Sequence, residues 1–451
     1  MSRREHKRKT QDTDKKRKAL KQILSGGFWL LVWHVAAILV DNQLLLVTPL
    51  EAFRVLIGFL DNLQFWQTIL MSLLRIIAGL ASGVFLGFVL AAVSYRFKTA
   101  ENLIRPLMNL LKTVPVVSFV VLLLIWWGAG FLSICICFLI VFPNIYVSTL
   151  EGLKNTPKEL LEMARVFGIS VRGSFFYIYR PALRPFINSG LSLALGMCWK
   201  SGVAAEVIGT PAFSIGEQLY LSKIYLDTGG IFAWTAVIII LSILFEKLCM
   251  RLVEAFFEWE PGAGLPRRAD RAAIGQEGRD EGLSCEDIGK AYGENRVLEH
   301  YSASFPAGEI SRLTWDSGRG KTTLLRLFAG LERPDSGRLV KPGSCGMLFQ
   351  EDRLCMEYSA LKNVELVTGD WDKGREALLQ LLGQEDIEKP CCQLSGGQRR
   401  RVALVRAMEA PAAFVLLDEP FTGMDAKTRV LAENYIAKKQ QGRAVLMATH
   451  Q

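Results

Sequence analysis

Apolar residues run in long unbroken stretches through the first 258 positions. Between Arg75 and Arg96 lie 20 consecutive uncharged residues, and positions 113–150 hold 38. A helix needs about 20 apolar residues to cross a bilayer, so the pattern predicts membrane spans. Six are placed. They cover about residues 23–40 and 71–94, two that divide 113–150 at Trp126-Trp127-Gly128-Ala129-Gly130, and then about 186–208 and 230–245. Beyond them the pattern changes. Residues 258–282 are rich in Gly, Pro and charge and read as a linker with a random-coil reach of roughly 25–30 Å. From 283 to 451 short β-type runs alternate with helical ones. The predicted fold is an all-α membrane domain over 23–257 joined to an α/β domain over 283–451.

Charge orients this arrangement. The net charge is +9, yet ten of the 53 Lys and Arg residues fall in the first 21 positions. They precede an apolar run, so residues 1–22 read as a basic cytoplasmic tail rather than a nucleic-acid surface. Arg96, Lys98 and Arg105, then Lys154, Lys158, Arg165, Arg172, Arg180 and Arg184, fall in the connections after spans two and four. The opposite connections hold little beyond Arg54 and Lys223. By the positive-inside rule the N-terminus and residues 283–451 lie in the cytoplasm of a multi-pass protein of the bacterial inner membrane. The residues after the first span, VDNQLLL, lack a small-x-small cleavage pattern, so that span reads as a retained anchor rather than a signal peptide. Nine cysteines are scattered without C-x-x-C spacing and read as small hydrophobes.

Residues 311–331 place a glycine-rich turn between a short apolar run and a helix. Backbone N–H groups of such a turn cradle phosphates. Ser317, Gly318, Arg319 and Gly320 form the turn, and Thr323 follows on the helix. Lys321 reaches the β- and γ-phosphates, and the Thr322 hydroxyl binds Mg²⁺. Trp315 stands where G-x-x-x-x-G-K-[ST] has its first glycine. If that position needs a positive φ, a bulky residue there costs on the order of 1–3 kcal/mol and weakens ATP binding.

Downstream come LFQED with Gln350, LSGGQ at 394–398, FVLLDEP with Asp418 and Glu419, MD ending at Asp425, and ATH ending at His450. In this order the set resembles the nucleotide-binding domain of ABC transporters. The resemblance implies an ATPase using ATP and Mg²⁺. Asp418, Thr322 and Gln350 attend the metal, and Glu419 polarises the attacking water. Gln350 and His450 sense the γ-phosphate, Tyr292 stacks on adenine, and Asp425 lines the site. Ser395, Gly396, Gly397 and Gln398 complete the site of a second subunit across a dimer. The chain stops one residue past His450, which reads as a short C-terminus.

Between spans four and five, Glu162, Ala164, Gly168, Ile178 and Pro181 match the E-A-A-x₃-G-x₉-I-x-L-P coupling loop of ABC importer permeases. Met163 and Arg180 depart from that pattern. The flanking sequence resembles permeases of the sulfonate, taurine and nitrate uptake group. This implies a homodimer of twelve spans, embedded in lipid and served by a separate extracytoplasmic solute-binding protein. Gly79, Gly83 and Gly87 line one helical face suited to close packing. Lys200 and Glu206 are ionisable groups inside the fifth span and mark a solute path, a structural ion pair or snorkelling side chains. Two other readings stay open: a degenerate nucleotide-binding membrane protein that no longer hydrolyses ATP, and an ABC exporter half-transporter.

Overall fold

The structure, a computed structural model, describes residues 17, 21, 24–42, 44–259, 281–316 and 318–449. Most of the basic tail and of the linker therefore lies outside the described residues, as do Ser317 and His450. The chain divides into two compact units. One comprises Met1–Lys154 with Arg184–Glu258, and the other comprises Asn155–Leu183 with Trp259–Gln451.

In the first unit, helix α1 (Leu24–Val40) is apolar but short. Helix α2 (Pro49–Leu60) opens on a reciprocal capping box between Thr48 and Glu51. Among the described residues, four helices are long and apolar enough to cross a membrane. They are α3 (Leu63–Arg96), α6 (Ala129–Lys154), α8 (Val171–Gly209) and α10 (Thr228–Glu258). The third predicted span falls on the second arm of a bent helix pair. Helix α4 (Lys98–Thr113) bends by 105° into α5 (Val116–Trp127). At 1.5 Å per residue α5 rises only about 18 Å, against a hydrocarbon core of about 30 Å. Pro115 precedes it, and Gly128 ends it at φ +74°. The bend lies at the start of the uncharged run, between the charged helix α4 and apolar α5. A total of six crossings requires both α1 and the bent pair to traverse the bilayer.

The glycine face behaves as its spacing predicts. A Cβ on Gly79 would sit 2.5 Å from the Ile134 carbonyl oxygen and 2.6 Å from Cys137 Cβ. On Gly83 and Gly87 it would meet Val141 and Ile145 at 3.0 Å. These glycines let α3 and α6 pack backbone to backbone, the arrangement that small-xxx-small faces permit in lipid.

The second unit holds two sheets. Strands β1 (Leu283–Tyr292), β2 (Asn295–Phe305) and β4 (Ser336–Val340) form an antiparallel sheet with β1 central. A parallel sheet runs in the order β3 (Ile310–Leu313), β7 (Ala444–Ala448), β6 (Phe414–Asp418), β5 (Cys345–Leu348). Strands β5, β6 and β7 are buried throughout, as befits parallel strands covered on both faces. Strands β5, β6 and β7 are neighbours in sequence order, whereas β3 pairs with β7 across a crossover. Ligands of α/β sheets bind in the crevice at the carboxyl ends of such strands.

Candidate nucleotide site and coupling knob

Strand β3 ends just before Thr314 and Trp315, and helix α11 (Lys321–Phe328) starts six residues after the tryptophan. Gly318 and Gly320 turn the chain at φ +82° and +87°. At Gly320 a Cβ would also meet Val297 Cγ1 at 2.8 Å, so both conformation and space call for glycine. Trp315 is not among the residues with positive φ, and the expected strain is withdrawn. Its ring packs edge-on against Tyr301, with centroids 4.9 Å apart, and its carbonyl accepts from Lys321 Nζ at 2.5 Å. The backbone there offers what a glycine would offer, and the side chain adds packing. Trp315→Gly is therefore expected to leave ATP affinity unimproved. It should lower stability by about 1–3 kcal/mol through lost aromatic contact, as read by thermal melting and nucleotide titration.

Strand β6 delivers the two carboxylates. Asp418 is 2% exposed, and its Oδ2 has no hydrogen-bond partner among the described residues. Burial pushes its carboxyl above the ordinary range, against a hydrogen bond with the Thr322 side chain. An orphaned carboxylate oxygen beside a hydroxyl fits a hard divalent cation. Glu419 sits at φ +49°, a conformation that costs a non-glycine residue on the order of 1–3 kcal/mol. Its N–H donates to the Ala448 carbonyl at 2.9 Å, and its Oε2 accepts from Thr422 Oγ1 at 3.2 Å. Gln350 is exposed just past the end of β5.

Helix α14 (Gly396–Glu409) begins at an exposed Ser395. The Ser395 Oγ accepts from the Gln398 N–H at 3.2 Å, while Gln398 Oε1 accepts from the Ser395 N–H at 2.8 Å. Gly397 lies so close to Gly423 that a Cβ would sit 2.7 Å from its carbonyl oxygen. Asp425 caps helix α15 (Ala426–Lys439), accepting from the Thr428 N–H at 2.7 Å. Tyr292 is 46% exposed. It shares a hydrogen bond with Thr323, on α11, and its hydroxyl donates to Glu332. Lys290 Nζ lies 5.6 Å from the Tyr292 ring centroid. Arg319 pairs with Asp316 at 3.2 Å.

Residues 155–183 fold with this domain as a knob. Helix α7 (Lys158–Val166) buries Met163 and Ala164 in the core shared with β1, β2 and α11. Gly168 ends α7 at φ +60°, with the Ile169 N–H reaching back to the Ala164 carbonyl at 2.8 Å. This is the glycine-terminated helix end that closes on a 6→1 bond. Nothing lies within 4 Å of a Cβ at Gly168, so conformation rather than room selects glycine. Glu162 accepts from Arg326 at 3.1 and 3.2 Å and from Arg353 at 2.7 Å. Burial opposes the Glu162 carboxylate, but its hydrogen bonds and charge pairing with both arginines outweigh burial and hold its pKa below the ordinary value. Arg326 also donates to Glu332 at 2.5 Å. Buried Arg406 donates to the carbonyls of Arg353 and Asp352, with its guanidinium over the Phe167 ring. The sequence motifs assign no role to Arg326, Arg353, Arg400 or Arg406, although Arg400 and Arg406 lie in the RRRVALVRA run that follows LSGGQ and Arg326 in the phosphate-loop segment. Only their burial and long-range partners mark them.

In the membrane unit Glu206 is enclosed. Its Oε2 accepts from Ser72 Oγ at 2.7 Å and from the Gly216 N–H at 3.4 Å, and Arg75 lies 3.7 Å from Oε1. Arg75 also donates to the carbonyls of Ala212 and Phe213. Lys200 lies exposed on the same helix, and the structure does not bring it to Glu206.

Residues 83–258 match the family model of the inner membrane component of binding-protein-dependent transport systems. Residues 298–422 match the ABC transporter model. An aliphatic sulfonates import ATP-binding protein of Rhodococcus jostii (strain RHA1) is 39% identical over 178 residues, covering 38% of this chain and 73% of that relative. A counterpart of the same description from Pseudomonas savastanoi pv. phaseolicola is 37% identical over 180 residues, covering 37% of this chain and 67% of its own length. A dimeric ATP-binding cassette solved in a post-hydrolysis state with ADP and Pi aligns at 25% identity. It covers 38% of this chain and 88% of that one, with a TM-score of 0.35.

Proposed function

The chain belongs to the ABC transporters, with permease and ATPase in one polypeptide, and from that premise we propose that it imports a small organic anion of the sulfonate class. The likeness to aliphatic sulfonates import ATP-binding proteins supports the solute class, and one observation carries the coupling of ATP to transport. Residues 155–183 fall within the permease match, yet they fold in one compact unit with the ATPase. Glu162 there is tied to the helix that begins at Lys321. A conformational step at the phosphates therefore has a direct mechanical route into the permease.

Residues 318–323 cradle the phosphates, with Lys321 aimed at the β- and γ-phosphates. Thr322 and Asp418 would hold Mg²⁺, which supplies charge neutralisation at the transferring phosphoryl group. The Glu419 carboxylate orients the attacking water and takes its proton. Gln350 attends the γ-phosphate and Tyr292 stacks on adenine; His450, which the resemblance assigns to the γ-phosphate, lies outside the described residues. Ser395, Gly396 and Gln398 complete the site of a second copy, whose Ser395 serves this one. A separate binding protein delivers solute on the far side of the membrane. Glu206, locked to Ser72 and Arg75, holds residues 210–216 rather than carrying solute.

Proteoliposomes containing the chain and a sulfonate-binding protein should accumulate labelled alkanesulfonate only with ATP inside the cytoplasmic face. ATP hydrolysis without accumulation of any sulfonate, taurine or nitrate would reject this solute class. Orientation has its own test. Cys392 is exposed in the ATPase, so an impermeant maleimide should label it only after cells are permeabilised. Labelling in intact cells would overturn the cytoplasmic placement.

A further inference from the structure

We propose that Arg400 is a positioning residue for hydrolysis, holding the Glu419 backbone so that its carboxylate faces the water. Arg400 is 3% exposed, and its guanidinium is spent on backbone. Nη1 donates to the carbonyls of Phe349 at 2.6 Å and Gln350 at 3.2 Å, and to Asp352 Oδ1 at 3.2 Å. Nη2 donates to the carbonyls of Asp418 and, at 2.8 Å, Glu419. One side chain of the helix that starts at Ser395 thus joins the segment bearing Gln350 to the strand end bearing both carboxylates. A left-handed glutamate persists only where its surroundings over-determine it. At Glu419 the determinants include the N–H bond to Ala448, the Thr422 N–H donating to the Glu419 carbonyl at 3.3 Å, and the Arg400 fork on that same carbonyl. Without the fork, the carbonyl keeps only the 3.3 Å bond from the Thr422 N–H, and the peptide relaxes toward the extended region, which swings the carboxylate away. A lysine, a point donor without a planar fork, cannot reach both strand ends at once. Because Gln350 and Glu419 share this anchor, displacing either one shifts the other.

This inference rests on the reading of Glu419 as the water-activating group, and the test separates the two. In full-length reconstituted protein, Glu419→Gln alone tests that reading, since an unchanged kcat strikes it directly. Arg400→Gln and Arg400→Lys are each expected to lower kcat by about 10–100-fold, the loss that a misplacement near 1 Å produces. KM for ATP should stay within about threefold, which a loss of general structure would not give. In the double variant Arg400→Gln with Glu419→Gln, kcat should match Glu419→Gln alone, because groups acting through one another are not additive. Multiplying losses, or a KM that rises in step with the fall in kcat, would overturn the proposal. Should the Arg400 variants fail to fold by thermal melting, Asp352→Asn keeps the guanidinium but removes its carboxylate anchor. It should lower kcat in the wild-type background and not in Glu419→Gln, and a parental kcat in folded Asp352→Asn would count against the proposal.

Discussion

Glu419→Gln should leave ATP bound and cut turnover by about 10²–10⁴-fold, the range associated with removing a general base. The substitution is nearly isosteric. It retains the main-chain bond from Glu419 to Ala448 and the carbonyl contact to Arg400, and an amide oxygen still accepts from Thr422 Oγ1. Asp418 and its hydrogen bond with Thr322 are untouched, so the side chains assigned to nucleotide and metal remain. What disappears is the negative oxygen able to take a proton from water. Steady-state phosphate release measures the loss. Gel filtration with labelled ATP shows whether the nucleotide stays bound and whether two cassettes stay together. Turnover equal to the parent would remove Glu419 from the chemistry and leave the strained φ of +49° without its proposed role.

Much of the ATPase half is legible in the sequence because its chemistry is concentrated in short contiguous runs. The phosphate loop, the carboxylate pair and the serine-led helix start each announce themselves within a few residues. Trp315 was misleading for a definite reason. The demand for glycine at a turn depends on φ, and residue type cannot reveal φ when one loop position departs from the pattern. Gly168 shows the converse. Its residue type was legible, but the cause is a left-handed helix end and not a lack of space. The arginines that organise the site were illegible because their partners lie far off in sequence. Arg326 and Glu162 are 164 positions apart, and Arg353 and Glu162 are 191 apart. The boundary at Gly128 was legible, and α5 ends there as α6 begins at Ala129, but the charged helix α4 that bends into α5 was not, because its mean hydropathy marks no membrane segment.

Glu162→Gln is expected to separate hydrolysis from uptake. The carboxylate receives three charge-assisted hydrogen bonds, two from Arg326 and one from Arg353. Its side chain is 30% exposed, so solvent screening discounts the pairing, and about 1.5 kcal/mol is a fair loss for the knob's attachment. At tenfold per 1.4 kcal/mol this weakens transmission roughly tenfold. The amide still accepts one donor, so the knob should remain folded on Met163 and Ala164, both buried in the core. Uptake by proteoliposomes should therefore fall about tenfold while basal ATPase activity changes by less than about threefold. A charge-reversed Arg326→Glu places two carboxylates together and should lower uptake further, and adding Glu162→Arg should restore part of it, because opposite charges then face each other again. Parental uptake in Glu162→Gln, or equal losses of uptake and hydrolysis, would mean that force passes from ATPase to permease by another contact. The apolar packing of Met163 and Ala164 would then be the next place to cut.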